Sequence, residues 1–102
     1  MNTFDPGRIR ADFPILAERP YGKPLVYFDN AASSQKPKSV IDAIAAYYTH
    51  SNANIHRGVH YLSQKASAAY DAVRFQVSEF INAASEEEIV FVRGTTEAVK
   101  GV

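Results

Sequence analysis

The 102-residue chain has no cysteine. That excludes a disulfide scaffold, a Cys-rich zinc site and a cysteine nucleophile among these residues. An excess of one charge is also missing: eleven Lys and Arg offset eleven Asp and Glu, and no run of like charge stands out. Nucleic acids and anionic membrane surfaces are held by clustered cations, so neither is an expected partner. No stretch is long and apolar enough to span a bilayer. The opening Met1-Asn2-Thr3-Phe4-Asp5-Pro6 lacks a basic region followed by an apolar one, so the expected location is the cytoplasm. Internal repeats, low-complexity tracts and flexible linkers are absent as well.

What remains is the composition of a soluble globular protein, 46% hydrophobic and 22% charged. A chain of this length buries about 60–65% of the surface it exposes when unfolded. Asp5-Pro6 predicts an N-cap and first helical residue, with Ile9 and Phe13 on one face and a stop before Pro14. Tyr21-Gly22-Lys23-Pro24 is turn chemistry. Leu25–Phe28 predicts a short strand, and Asp29–Ser34 a small-residue loop. Pro37 opens a second helix, whose apolar side is Val40, Ile41, Ile44, Ala45 and Tyr48. Residues 51–59 predict a loop. A third helix to about Asn82 carries an apolar stripe of Leu62, Ala66, Ala69, Val73, Val77 and Phe80, expected to be core. Ser85–Glu88 predicts a capped turn, and Ile89–Val92 a buried strand.

That strand is expected to end in Gly94-Thr95-Thr96, which opens a last helix. Helix-start N–H groups are unpaired and lie at the positive end of the peptide dipoles, so such a turn suits a phosphate. The threonine hydroxyls add donors, and Gly94 lets a ligand approach and can adopt positive φ. Taken alone, threonines at a helix start are more often simple caps. The preceding strand raises the odds, because ligands of α/β proteins gather beyond strand C-termini. The order helix, strand, two helices, strand, helix start predicts an α/β fold with an incomplete sheet, a piece of a larger layer protein.

Three blocks in series resemble one family. They are Tyr27-Phe28-Asp29-Asn30-Ala31-Ala32-Ser33-Ser34-Gln35-Lys36-Pro37, Asn54-Ile55-His56-Arg57-Gly58-Val59-His60-Tyr61-Leu62-Ser63, and Glu88-Ile89-Val90-Phe91-Val92-Arg93-Gly94-Thr95-Thr96-Glu97-Ala98. From about Ile9 onward the chain is similar to the start of the cysteine desulfurases of the sulfur-mobilisation (Suf) type. These are class V aminotransferase-like, fold-type I pyridoxal-phosphate enzymes, with selenocysteine lyases among their relatives. The resemblance implies that residues 1–102 form the N-terminal helices plus the start of the large cofactor-binding domain. It implies pyridoxal 5′-phosphate as cofactor, with Thr95 and Thr96, beside Gly94, at its phosphate. Asn30, Ala31, Ala32 and His56 are implied to line the substrate side. The implied substrate is L-cysteine or L-selenocysteine; L-cysteine gives L-alanine and an enzyme persulfide for iron–sulfur cluster assembly. A homodimer and a sulfur-acceptor protein are the implied partners.

The same resemblance puts the Schiff-base lysine and the persulfide cysteine downstream of Val102. None of Lys23, Lys36, Lys38, Lys65 and Lys100 sits in the lysine-bearing motif, so no catalytic residue is expected here and the chain alone should be inactive. Ser67 stands where threonine is more usual. His50, His56 and His60 raise the question of a metal, but histidines on a polar loop without a further ligand are expected to be surface or hydrogen-bonding groups, and no metal site is predicted. Asp29 is expected to turn the backbone through its carboxylate, and Arg93 and Glu97 to pair or to meet a second subunit. Tyr47, Tyr48, Tyr61 and Tyr70 are read as packing. The competing functions are a selenocysteine lyase or another class V enzyme, and a small non-catalytic interaction domain from a truncated gene.

Overall fold

The computed structural model describes residues 3–55 and 58–101. Four α-helices account for most of the regular structure: α1 (Pro6–Ala11), α2 (Lys38–His50), α3 (Tyr61–Phe80) and α4 (Thr95–Lys100). Short 3-10 turns occupy Pro14–Ala17, Pro20–Gly22 and Glu86–Glu88. The chain divides into two compact units, Met1–His50 and Ser51–Val102.

In the first unit, the Asp5 carboxylate starts α1 by accepting from the N–H groups of Gly7 (2.9 Å) and Arg8 (3.3 Å). Arg10 Nη2 donates to the Leu25 carbonyl at 3.0 Å, and the Lys38 N–H donates to the Asp12 carbonyl at 2.8 Å. These two bonds tie α1 to the Leu25–Phe28 run and to the start of α2. Pro37 sits just before α2, its carbonyl accepting from Val40 and Ile41. The turn at Pro20–Lys23 is closed by Lys23 N–H donating to the Pro20 carbonyl, with Tyr21 (φ 55°) and Gly22 (φ 75°) both left-handed. That is the sense of a type I′ turn, which glycine tolerates freely and tyrosine does not.

In the second unit α3 ends in a Schellman motif. Ala83 N–H donates to the Ser78 carbonyl and Asn82 N–H to that of Glu79, with Asn82 left-handed at φ 57°. Ser85 then caps the Glu86–Glu88 turn through Glu87 N–H, and Glu88 Oε2 returns to Ala84 N–H. Arg74 Nη2 holds this turn on α3 through the Glu86 carbonyl at 3.1 Å. Phe91 meets Tyr70 edge-on, with ring centroids 5.4 Å apart. Ile89 is buried.

Two expectations are corrected. First, no strand occurs among the described residues, so the sheet of the expected α/β fold is not formed within them. A ladder requires a second extended backbone alongside, and each run has something else beside it. The Leu25 carbonyl is taken by Arg10, and Ile89–Val92 follows the Arg74-held turn and lies against Tyr70. The period of two survives only as alternating exposure: Leu25 and Tyr27 are half-buried, Val26 and Phe28 exposed. Second, the apolar stripe of α3 is covered only in part, at Ala66 and, less fully, Val77. Ser63, Ala66 and Ser78 are the buried residues of the helix, whereas Val73 and Phe80 are exposed, Phe80 at 91%. The polar loop before α3 packs on Ser63 and Ser67 through hydrogen bonds.

Candidate functional site

The Gly94–Thr96 turn forms as expected at the start of α4, but by different means. Gly94 is the N-cap at φ 174°, ψ 179°, extended backbone open to any residue, so its expected positive φ is not used. A Cβ placed on Gly94 would meet nothing within 4 Å. No side-chain hydroxyl caps the helix, so the N–H groups of its first turn keep the free donors that any uncapped helix start has. An open hollow of about 500 Å³ lies over this turn, lined by Arg93, Gly94, Thr95, Thr96, Glu97 and Lys100. The arrangement offers an anion hydroxyls, main-chain donors and cationic side chains.

Arg93 and Glu97 do pair. Glu97 Oε2 accepts from the Arg93 main-chain N–H at 2.9 Å and from its Nε at 3.0 Å. Both bonds favour the ionised carboxyl, the side-chain bond most, and hold Glu97 below its ordinary value of 4.5 against a small opposing effect of desolvation. The carboxylate at the turn is thereby engaged by a neighbouring cation.

Asn30, Ala31 and Ala32 share one exposed turn in the first unit. The Asp29 main-chain carbonyl closes it, accepting from Ala32 and Ser33 N–H, both at 3.1 Å. Tyr27 braces the turn from below: its hydroxyl donates to the Ser33 carbonyl at 2.5 Å, with the Asp29 carbonyl at 3.2 Å. The expectation that the Asp29 carboxylate makes the turn is therefore corrected; the carbonyl does. Asn30 also borders a cavity of about 510 Å³ lined mainly by Ile9, Phe13, Leu16, Val26 and Phe28. Gly94, Thr95 and Thr96 are brought together in the second unit, Asn30, Ala31 and Ala32 in the first.

His56 lies outside the described residues. The loop on either side of it is fixed by α3. Ser63, 1% exposed, donates from Oγ to the Asn54 carbonyl at 2.7 Å and accepts from Gly58 N–H at 2.9 Å. Ser67 Oγ donates to the Ile55 carbonyl at 3.2 Å. His60 is the N-cap of α3, its Nδ1 accepting from Ser63 N–H. Among the described residues, no three His, Asp or Glu side chains gather as a metal site, and no helix is long and apolar enough to cross a membrane. Ser63 and Gly58 were not singled out from the sequence. The signal was there: a glycine five residues before a serine at the foot of a helix whose other face is apolar.

The Aminotransferase class-V family model matches residues 26–102, and the chain belongs to that family. Within it, the chain is similar to proteins described as cysteine desulfurases. It is 59% identical over 96 residues to one from Synechococcus elongatus, covering 94% of this chain and 15% of that protein. It is 62% identical over 92 residues to one from Pectobacterium carotovorum subsp. carotovorum, covering 90% and 23%. Among solved structures, the apo cysteine desulfurase from Thermococcus onnurineus NA1 superposes with a TM-score of 0.80 at 42% identity, over 97% of this chain and 23% of that one. The chain thus spans 15% to 23% of the length of these proteins.

Proposed function

We propose that this chain forms the amino-terminal part of a pyridoxal-phosphate-dependent cysteine desulfurase that takes sulfur from L-cysteine, leaving L-alanine and a persulfide on the enzyme. The observation that carries the reading is the open, uncapped Gly94–Thr96 turn in a chain 59–62% identical to cysteine desulfurases. The residues fit the cofactor's phosphate: the space above Gly94 is free, and Thr95 and Thr96 present hydroxyls at a helix start. When bound, pyridoxal phosphate supplies an electron sink for the amino acid's bonds.

In this reading Thr95 and Thr96 hold the phosphate, and Glu97, already paired with Arg93, leaves the turn's donors to it. Asn30 and His56 contact the amino-acid substrate, and Ala31 and Ala32 leave room for it. The tie from Tyr27 to the Ser33 carbonyl keeps that turn in one shape, so the lining is set before substrate arrives. The lysine that bonds the cofactor and the cysteine that takes the sulfur lie in the other part of such an enzyme; this chain has no cysteine to offer. The reading carries with it a homodimer, a sulfur-acceptor protein, service to iron–sulfur cluster assembly, a cytoplasmic location and a sheet completed by residues beyond these.

The test is the amino-acid product of the full-length protein. L-Alanine formed from L-cysteine in a pyridoxal-phosphate-dependent way is the expected result. Alanine from L-selenocysteine alone would make the protein a selenocysteine lyase, and none from either would refute the reading.

A further inference from the structure

Ser63 is among the most enclosed polar side chains of the described residues, and both of its hydroxyl bonds go to the same loop. One runs to the Asn54 carbonyl at 2.7 Å, the other comes from Gly58 N–H at 2.9 Å. In sequence these are the residues two before and two after His56. The contact is also close-packed. A Cβ on residue 58 would sit 2.6 Å from Ser63 Oγ and 2.9 Å from Ser63 Cβ, both inside what real carbon atoms allow. Glycine is therefore required at 58 by the approach of Ser63. Ser67, one helical turn further on, adds a third tie at the Ile55 carbonyl. The helix is not held up by these bonds: its own cap is His60, and its ladder runs independently. Removing the buried Ser63 hydroxyl takes one hydrogen bond from the Asn54 carbonyl and another from the Gly58 N–H. Its whole effect falls on the loop's two ends.

We infer that Ser63, with Ser67 beside it, is a positioning residue for the substrate side of the pocket: it fixes the loop ends on which His56 is carried. The inference rests on the proposed substrate contact of His56. The hydroxyls touch neither substrate nor cofactor. They act by setting where the loop begins and ends, and small displacements of a contacting group cost much of its benefit.

The experiment compares Ser63→Ala, Ser67→Ala and His56→Ala, and each serine variant combined with His56→Ala, in the full-length enzyme with L-cysteine. Melting temperature and bound cofactor are recorded alongside. Expected is a loss of kcat/KM on the order of 10- to 100-fold for Ser63→Ala, a smaller loss for Ser67→Ala, and no further loss when either joins His56→Ala. Ser67 is less enclosed, so its variant keeps the question answerable should Ser63→Ala fail to fold. Serine effects that simply add to that of His56→Ala, or a lowered melting temperature with kcat/KM intact, would overturn the inference while leaving the His56 reading in place. An inert His56→Ala would overturn that reading, and the inference with it.

Discussion

Glu97 takes two hydrogen bonds from Arg93, and both are stronger when its carboxyl is ionised. A carboxyl whose folded pKa is lowered adds stability above its unfolded value and loses it as pH falls through the folded one. The Arg93–Glu97 contact is therefore expected to be fully in place above pH 4.5 and to fade only below it. An NMR titration of the Glu97 side chain should give a midpoint under 4.5, and Arg93→Ala, which removes the side-chain bond and keeps the main-chain one, should raise it. A wild-type midpoint at or above 4.5 would show that the pair does not form. The spacing of four residues announced this pair in the sequence. The tight fit of Gly58 against Ser63 was not announced, because closeness between a loop and a helix face depends on how the chain folds back, which no periodicity encodes.

Helices were legible where local chemistry sufficed. Asp5-Pro6, Pro37 and Ser85 mark starts that the structure uses, and Asn82 marks the end of α3. The Asn82 backbone at φ 57° gives a direct check. Asn82→Gly should leave stability near wild type, whereas Asn82→Val should cost about 1–2 kcal/mol in urea unfolding. Equal stability of the two variants would mean that the helix end does not need the left-handed residue. Strands were not legible in the same way. Leu25–Phe28 and Ile89–Val92 have the right side chains, but a strand is a relation between two backbones. The turn at Pro20–Gly22 was legible from Tyr21-Gly22, whereas the 3-10 turn at Pro14–Ala17 went unforeseen because its proline serves turns as readily as it stops a helix. The α3 stripe had the right period, but only Ala66 and Val77 of it are covered, while Leu62, Val73 and Phe80 are exposed.

Buried apolar side chains are few: among the described residues they are Ala66 and Ile89. Phe28, Val59 and Phe80 are each more than 90% exposed. Apolar area of this extent marks surfaces that cover one another or a partner. The isolated 102-residue polypeptide is thus expected to self-associate and to bind a hydrophobic dye; a monodisperse monomer with a sharp cooperative melt would contradict this. The candidate site divides along similar lines. Gly94–Thr96 was legible from turn chemistry, while Asn30, Ala31, Ala32 and His56 came only through resemblance to a family. The claim that joins these levels is that the Thr95-Thr96 turn holds the phosphate of pyridoxal phosphate. It is tested most directly by the cofactor dissociation constant of the full-length protein with Thr96→Ala. Removing one hydroxyl that bonds a charged phosphate should weaken binding by about 1.5–3 kcal/mol, on the order of 10- to 100-fold. An unchanged constant would contradict the account.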